Sequence, residues 1–443
     1  MKLNISIVAT QAGALLAANT VLAATSGEFN ILTMNVAGLP EFLNNNEVPG
    51  DKTTNSGTIG AKFAEYGYDI IHVQEDFNYH AAIYETDTHP YRTATSGGVP
   101  FGSGLNTLSN FDWINFARVK WETCSNASGA DCLTPKGFTF MRAQIDDGVY
   151  VDVYNLHTDA GTEDEDLTAR AANLEQVAAH IDTWSAGNAV LVYGDTNSRY
   201  TRAGDNITVF ANQNGMTDPW VELIRGGAIP TEEVLCDNPS TTDECETVDK
   251  VFYRGSPLVD LRATKWTYQS TRFLQSNGSI LSDHNPITVE FAWTAGASLR
   301  QSGFFGGPHG TWFSDVAALD AASAKPSAAS VLTFRGSERL DSVGLTLADG
   351  TALTHGGTGG DVATLTLEDG ESWTSTKVCQ GKKNDETRIF YILATTSTGR
   401  TLEAGTSTDD CSTFTAPDGW AVVGFVGQDG DEIDQLALVY APQ

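Results

Sequence analysis

Ala189-Val-Leu-Val-Tyr-Gly-Asp-Thr-Asn-Ser198 decides how the first part of the chain is read. The apolar run from Ala189 to Tyr193 is short, branched and without polar alternation, the pattern of a strand buried on both faces. Gly194 ends it, and Asp195 and Asn197 follow. Residues i and i+2 of an extended segment point the same way, so these two side chains address one target. Working outward, Phe29-Asn-Ile-Leu-Thr-Met34 and Asp69-Ile-Ile-His-Val73 repeat the buried-strand pattern. Phe138 to Ile145 and Val149 to Leu156 flank Asp146-Asp147-Gly148, which predicts a hairpin. Leu167, Ala171, Leu174, Val177, Ala178 and Ile181 form a helical stripe, opened by Thr162-Glu-Asp-Glu165 with the form of a capping box. Strands mixed with helices predict an α/β sandwich over residues 25–293.

After Trp293-Thr-Ala-Gly-Ala-Ser298 the texture changes. Short alternating strands separated by Gly, Asp and Thr turns run from about residue 303 to 443, as in Leu345-Thr-Leu-Ala-Asp-Gly350, and predict an all-β domain. One short helix is expected within Asp315 to Ala324. Gly306-Gly307, Gly356-Gly357 and Gly359-Gly360 hint at internal repetition. Residues 294–302 read as a linker.

The 443-residue chain carries 56 acidic and 26 basic side chains, a formal charge of −30. That excess opposes a broad grip on nucleic acid and disfavours docking on an anionic membrane, although a bound divalent cation reverses the field locally. Residues 1–24 have the short basic start, apolar middle and small-residue end of a secretory signal peptide, so a secreted, extracellular protein is expected. The six cysteines then read as three disulfides, with local pairing Cys124–Cys132, Cys236–Cys245 and Cys379–Cys411. Asn126, Asn206 and Asn277 head glycan-acceptor triplets.

Polar groups collect just past predicted strand ends, where α/β sheets expose their sites. Asn35 follows Met34, Glu75 follows Gln74, His157 follows Leu156, and Asp283 and His284 lie in Leu281-Ser-Asp-His-Asn-Pro286. A strand-terminal Asp or Asn usually caps a turn, and a lone His usually has a structural partner. So many at separate strand ends point instead to one site. Glu and Asn oxygens suit a hard cation such as Mg²⁺ or Mn²⁺, and two histidines beside it suit a phosphate ester.

Leu32-Thr-Met-Asn-Val-Ala-Gly-Leu-Pro40, Val73-Gln-Glu-Asp76, Gly102-Ser-Gly-Leu-Asn-Thr-Leu-Ser109, Tyr154-Asn-Leu-His-Thr158, Gly194-Asp-Thr-Asn197, Val248-Asp-Lys-Val251 and Ser282-Asp-His284 occur in the order found in the endonuclease/exonuclease/phosphatase superfamily. The chain resembles its sphingomyelinase-like branch over residues 28–293. The resemblance implies a four-layer α/β sandwich, two mixed β-sheets flanked by helices, with the site at one end. It implies that Glu75 binds Mg²⁺ with Asn35 completing the shell, and that Asp283 supports the metal or His284. Asp195 would orient or deprotonate the attacking water, and Asn197 would hold that water or a phosphate oxygen. His157 and His284 would donate to phosphoryl oxygens, and Asp249 would orient His284. The implied activity is metal-dependent, phospholipase C-like cleavage of a phosphosphingolipid by in-line water attack. No long apolar hairpin is visible. Trp113, Trp121 and Phe101 are weighed as a patch for transient membrane-surface contact, against the commoner reading of such aromatics as core. An extracellular nuclease, an inositol or sugar phosphate phosphatase and a non-catalytic lectin remain alternatives.

Gly303-Phe-Phe-Gly-Gly-Pro308, Arg339-Leu-Asp-Ser-Val343 and Val423-Gly-Phe-Val-Gly-Gln-Asp-Gly-Asp-Glu-Ile-Asp434 resemble a jacalin-related lectin over residues 303–443. This implies a three-sheet β-prism whose sugar loop contains Gly430, Asp431 and Asp434, bordered by Gly307. The likeness is to the mannose/glucose-binding type.

Overall fold

The computed structural model describes residues 24–44, 46–321 and 329–443. Nearly all of the expected signal segment lies outside them. In the first part, strands β1 (Ser26–Asn35), β2 (Ile70–Gln74), β3 (Tyr91–Arg92), β4 (Asn106–Ser109), β5 (Trp113–Lys120), β6 (Gly137–Asp146), β7 (Val149–His157), β8 (Ala189–Asp195), β9 (Asp249–Arg254), β10 (Val259–Tyr268) and β11 (Ile287–Ala295) form two sheets. One runs β10-β11-β1-β2-β4-β3 and the other β5-β6-β7-β8-β9. Each is mixed: β1–β2 and β7–β8 pair parallel and their other pairs antiparallel.

Side-chain alternation explains the layering. Ile31, Ile70, Val151, Val153, Leu191 and Tyr193 face between the sheets and share one core. Their neighbours Leu32, Ile71 and Val73 face outward onto Ile59 and Phe63 of helix α1 (Lys52–Tyr66) and Ile83 of α2 (His80–Thr86). On the far side, Tyr154, Leu156, Val190 and Val192 face Leu174, Val177, Ala178 and Ile181 of α3 (Asp164–Trp184) and Phe210 of α4 (Val209–Asn214). The result is the expected helix–sheet–sheet–helix sandwich. The cap of α3 sits one residue later than expected: Glu163 is the N-cap and closes a reciprocal box with Asp166. A short α5 (Pro219–Leu223) precedes β9.

The second part contains a short helix, α6 (Val316–Ala321), and three further sheets. Strands β12 (Arg300–Gln301), β13 (Phe305–Gly306), β14 (Thr311–Ser314), β15 (Ala329–Gly336), β16 (Leu340–Leu347), β17 (Ala352–Gly356), β18 (Asp361–Thr366), β19 (Trp373–Lys383), β20 (Glu386–Thr396), β21 (Thr401–Gly405), β22 (Asp410–Thr415), β23 (Trp420–Asp429) and β24 (Ile433–Pro442) follow in order. The sheets run β12-β24-β23-β14, with β13 also on β24, then β17-β16-β15-β18 and β21-β20-β19-β22. Trp373, fully buried, packs between Phe334 and Phe425 with the rings tilted by 59° and 60°, one residue from each sheet. The internal repetition is visible in the glycines. Gly306, Gly356 and Gly405 each end a strand at φ between +84° and +102° and lie against a neighbouring-strand carbonyl, where any Cβ would collide.

The disulfides pair as expected, with Cα–Cα separations of 5.5, 4.9 and 4.0 Å. No helix among the described residues is long and apolar enough to cross a membrane.

Candidate active site

Parallel pairing brings the ends of β1 and β2 level, and the same holds for β7 and β8, where His157 lies opposite Asp195. β9 begins there too, with Asp249 opposite Asp195. Asn35, Glu75, His157, Asp195, Asn197, Asp249, Asp283 and His284 therefore meet at one end of the sandwich. Glu75 and Asn197 occupy the left-handed region at φ 56° and 44°. Non-glycine residues rarely adopt it, and it turns both side chains back over the strand ends.

The Asn35 side-chain amide donates to Glu75 Oε1 and Asp195 Oδ2, both at 3.2 Å, while its oxygen accepts from the Ala37 N–H. Asp195 Oδ2 also faces His157 Nε2 at 3.4 Å and His284 Nε2 at 3.7 Å. Its other oxygen accepts from the Asn197 N–H at 3.0 Å. Asp249 Oδ2 bonds His284 Nδ1 at 2.9 Å, fixing the ring so that Nε2 faces Asp195. The Asn197 amide is anchored on the Thr158 carbonyl.

The two histidines are pushed apart. Burial drives His157 well below its ordinary pKa, and Lys136 and His284 reinforce this, so it is neutral. Burial also disfavours charge on His284, but Asp249, Asp195 and Asp283 outweigh it and hold the ring well above its ordinary value, as imidazolium. Asp195 is raised to about 6, by burial first and by Asp249, against the pull of His284.

Three participants carry no sequence signal. Lys136 places its ammonium 3.2 Å from His157 Nε2 and 2.5 Å from Asp131. Asn46 donates to Glu75 Oε2 at 3.4 Å and Asp283 Oδ2 at 3.2 Å. Lys52, only 4% exposed, donates to the carbonyls of Ala37, Leu39 and Asn44 and to Asn46 Oδ1. All lie in aperiodic segments or at a helix start, where pattern reading finds nothing. Of the aromatics weighed as an interfacial patch, Trp121 is core, bonded to the His157 carbonyl, Trp113 is half-buried, and Phe101 is exposed.

The donor set fits a hard divalent cation. Glu75 and Asp283 are two carboxylates joined by one amide, and Asp195 and Asp249 add carboxylates beside them, grouped within 4.8 Å with the His284 ring, which in its charged form donates and does not ligate. Asp249 Oδ1 and His157 Nδ1 are buried without partners.

Residues 52–290 match the sequence profile described as Endonuclease/Exonuclease/phosphatase family 2. The chain belongs to this family. Residues 302–439 match the jacalin-like lectin domain, so the family domain is followed by a lectin-type one. Sphingomyelinases of Mycobacterium tuberculosis (strain ATCC 25618 / H37Rv) and Mycobacterium bovis are each 38% identical over 284 residues, 62% of this chain. The chain spans about half the length of these curated relatives, 55%. Among solved structures, sphingomyelinase C from Streptomyces griseocarneus is 19% identical and covers 60% of this chain and 99% of its own, at TM-score 0.42. A mannose-binding jacalin-related lectin from Ananas comosus, also 19% identical, covers 33% and 99% at TM-score 0.28.

At the lectin-type loop, Gly430 and Asp431 are exposed and Gly307 donates its N–H to the Asp434 carbonyl. The Asp434 carboxylate is 1% exposed, packs against Gly310 and is ion-paired with Arg388, a partner the sequence did not announce.

Proposed function

We propose that residues 25–293 are a Mg²⁺-dependent phosphodiesterase that hydrolyses a phosphosphingolipid, joined through residues 294–302 to a glycan-binding domain over residues 303–443, and that the protein acts outside the cell. The observation carrying the catalytic reading is the convergence of two imidazoles on one carboxylate: His157 Nε2 and His284 Nε2 face Asp195 Oδ2 at 3.4 and 3.7 Å, with Asp249 Oδ2 2.9 Å behind His284 Nδ1. The mycobacterial relatives named sphingomyelinase support the substrate class, and three disulfides support an oxidising compartment.

Glu75 and Asp283, with Asn35 beside them, would hold Mg²⁺, with Mn²⁺ as the substitute. When bound, it neutralises phosphate charge and polarises the ester. Asp195, raised to about 6, accepts the proton of a water that Asn197 helps to hold. His284 donates from Nε2 to a phosphoryl or leaving oxygen, and Asp249 keeps that nitrogen pointed inward. Lys136 adds a donor where negative charge gathers, and His157 Nε2 accepts from that ammonium at 3.2 Å and holds it there. In the second domain, the mannose/glucose-type reading rests on Gly307, Gly430, Asp431 and Asp434. A nuclease or a soluble phosphate-ester hydrolase is the rival on the same scaffold.

The test is hydrolysis by the purified full chain, with Mg²⁺, of sphingomyelin, inositol-phosphoceramide, plasmid DNA and a generic phosphodiester. Release of the phosphorylated head group is expected, and nucleotide release alone overturns the lipid assignment. Glu75→Ala and His284→Ala should lower turnover by about 10²-fold or more with folding intact, and normal rates in both would remove the site.

A further inference from the structure

We propose that Phe42, Leu43 and Phe101 form a lip that docks the mouth of the site on a zwitterionic bilayer; this rests on the phosphosphingolipid reading above. Phe42 at 85% and Phe101 at 82% are the most exposed large apolar side chains among the described residues, and Leu43 is 56% exposed. Both segments border the site. Phe42 and Leu43 lie in the connection that leaves Asn35, and Phe101 lies in the one that leads into Asn106. Leu133, at 64%, is exposed in the connection that ends at Lys136. Exposed phenyl groups elsewhere are rare: Phe116, on β5, is 38% exposed.

The two segments are fastened to one turn. Glu41 N–H donates to the Tyr79 hydroxyl at 3.3 Å, and Val99 N–H donates to Asn78 Oδ1 at 3.4 Å. An open depression of about 570 Å³, lined by Pro40, Glu41, Phe42, Asn78 and Tyr79, lies at that turn. Behind Phe42 the Lys52 ammonium ties down the carbonyls of Leu39 and Asn44. The tips are therefore projected from a braced base and stay exposed, unlike a collapsed loop that folds its aromatics inward.

Charge selects the occupant. Residues 40–44 and 96–105 contain no lysine or arginine, and Glu41 adjoins Phe42 in a chain of net charge −30. Such a lip gains nothing from an anionic surface and binds by apolar insertion. The phosphate of a membrane phosphosphingolipid lies at head-group level just above the acyl boundary. Phenyl and isobutyl groups that enter that boundary bring the site level with it.

The test is co-sedimentation of the full chain, in chelator so that no turnover occurs, with vesicles of phosphatidylcholine and sphingomyelin. We expect partition insensitive to salt between about 0.1 and 0.5 M. Phe42→Ser and Phe101→Ser should each lower it by about tenfold, and Val362→Ser, an exposed apolar residue on β18, should not. With Mg²⁺, turnover of vesicle sphingomyelin should fall in step, while turnover of a soluble short-chain analogue stays at the wild-type level. Unchanged partition of both variants overturns the lip, as do partition confined to anionic vesicles and equal loss of turnover on both substrates. Wild-type partition with no hydrolysis of any phosphosphingolipid leaves the lip standing and removes the substrate reading.

Discussion

Replacing Lys52 by methionine keeps the aliphatic stem and deletes one ammonium that has four acceptors, the carbonyls of Ala37, Leu39 and Asn44 at 2.8 Å and Asn46 Oδ1 at 2.7 Å. The Leu39 and Asn44 carbonyls belong to residues open enough to regain water, whereas Ala37 and Asn46 are buried. Two stranded acceptors at about 1–3 kcal/mol each give a loss of about 2–6 kcal/mol. Part of this returns, because burial already strains the charge: it pushes the Lys52 pKa down against the support of Glu75, Asp283 and Glu41. A net destabilisation of about 2–4 kcal/mol is expected. The functional effect is more specific. Lys52 holds the Asn46 oxygen, so the amide nitrogen faces Glu75 and Asp283. Without the ammonium the amide is free to turn its oxygen toward two carboxylates, and the cation ligands lose their brace. Loss of such orienting groups costs about 10–100-fold in metal affinity. The midpoint of a Mg²⁺ activation curve should rise by that factor, with most turnover recovered at saturating Mg²⁺. An unchanged midpoint, or turnover lost at every Mg²⁺ concentration in a protein of normal stability, would refute the positioning role.

Asp434→Ala should abolish retention on immobilised mannose, and Arg388→Ala should strengthen it by freeing the carboxylate; equal retention of all three proteins places the pocket elsewhere. Arg142, 1% exposed, forks onto Asp152 at 2.7 and 3.0 Å, and Arg142→Met strands that carboxylate with Asn188 as its remaining side-chain donor. A loss of about 3–5 kcal/mol in urea unfolding is expected, and an unaltered transition would contradict it. His72 is wholly buried and stacked on Tyr193 at 3.8 Å, and burial lowers its pKa to about 3. The unfolded chain takes up this proton near 6.5, so stability is intact above that pH and declines as pH falls toward 3, by up to about 5 kcal/mol. His72→Phe should flatten that slope, and parallel pH–stability curves for the two proteins would exclude His72 as its source.

The strands and their ends were legible because burial on both faces leaves runs rich in apolar residues, unbroken before Gly194 and Asp195 and interrupted by single polar residues before Glu75 and His157. The layering followed from alternation at positions such as Leu191 and Val192. Loop residues had no comparable code. Asn46 and Lys136 reach the site because the chain folds back, and neither spacing nor composition records that path. The cap of α3 slipped by one residue because Thr162 and Glu163 both offer an oxygen and only the backbone geometry chooses between them. Arg142 pairs with Asp152 directly across the predicted hairpin, but its stacking on Trp312 comes from a distant segment that no local pattern announces.

That stacking changes what the second domain can do for the first. The Trp312 indole lies over the Arg142 guanidinium at 3.7 Å and donates its N–H to the Ala186 carbonyl. Gly187 is so close to Ser314 and Val316 that a Cβ there would lie 2.9 Å from Val316 Cβ. Asn115 on β5 and Gln435, next to Asp434, exchange amide hydrogen bonds at 3.0 and 3.1 Å. The segment between the domains is itself tied down, because Arg300 and Gln301 pair with Tyr440 and Val439. A hinge motion would have to expose Trp312, strip its ring from Arg142 and break its bond to the Ala186 carbonyl, a cost that a few flexible residues in the connection do not remove. A loose tether raises effective concentration over many spacings, whereas a fixed mount does so only where the glycan and the phosphodiester stand in matching positions. If the proposed glycan binding through Asp434 and the proposed phosphodiester cleavage both hold, glycan engagement would orient the mouth as well as retain it, and sugars of the wrong height would hold the chain without bringing substrate to the site.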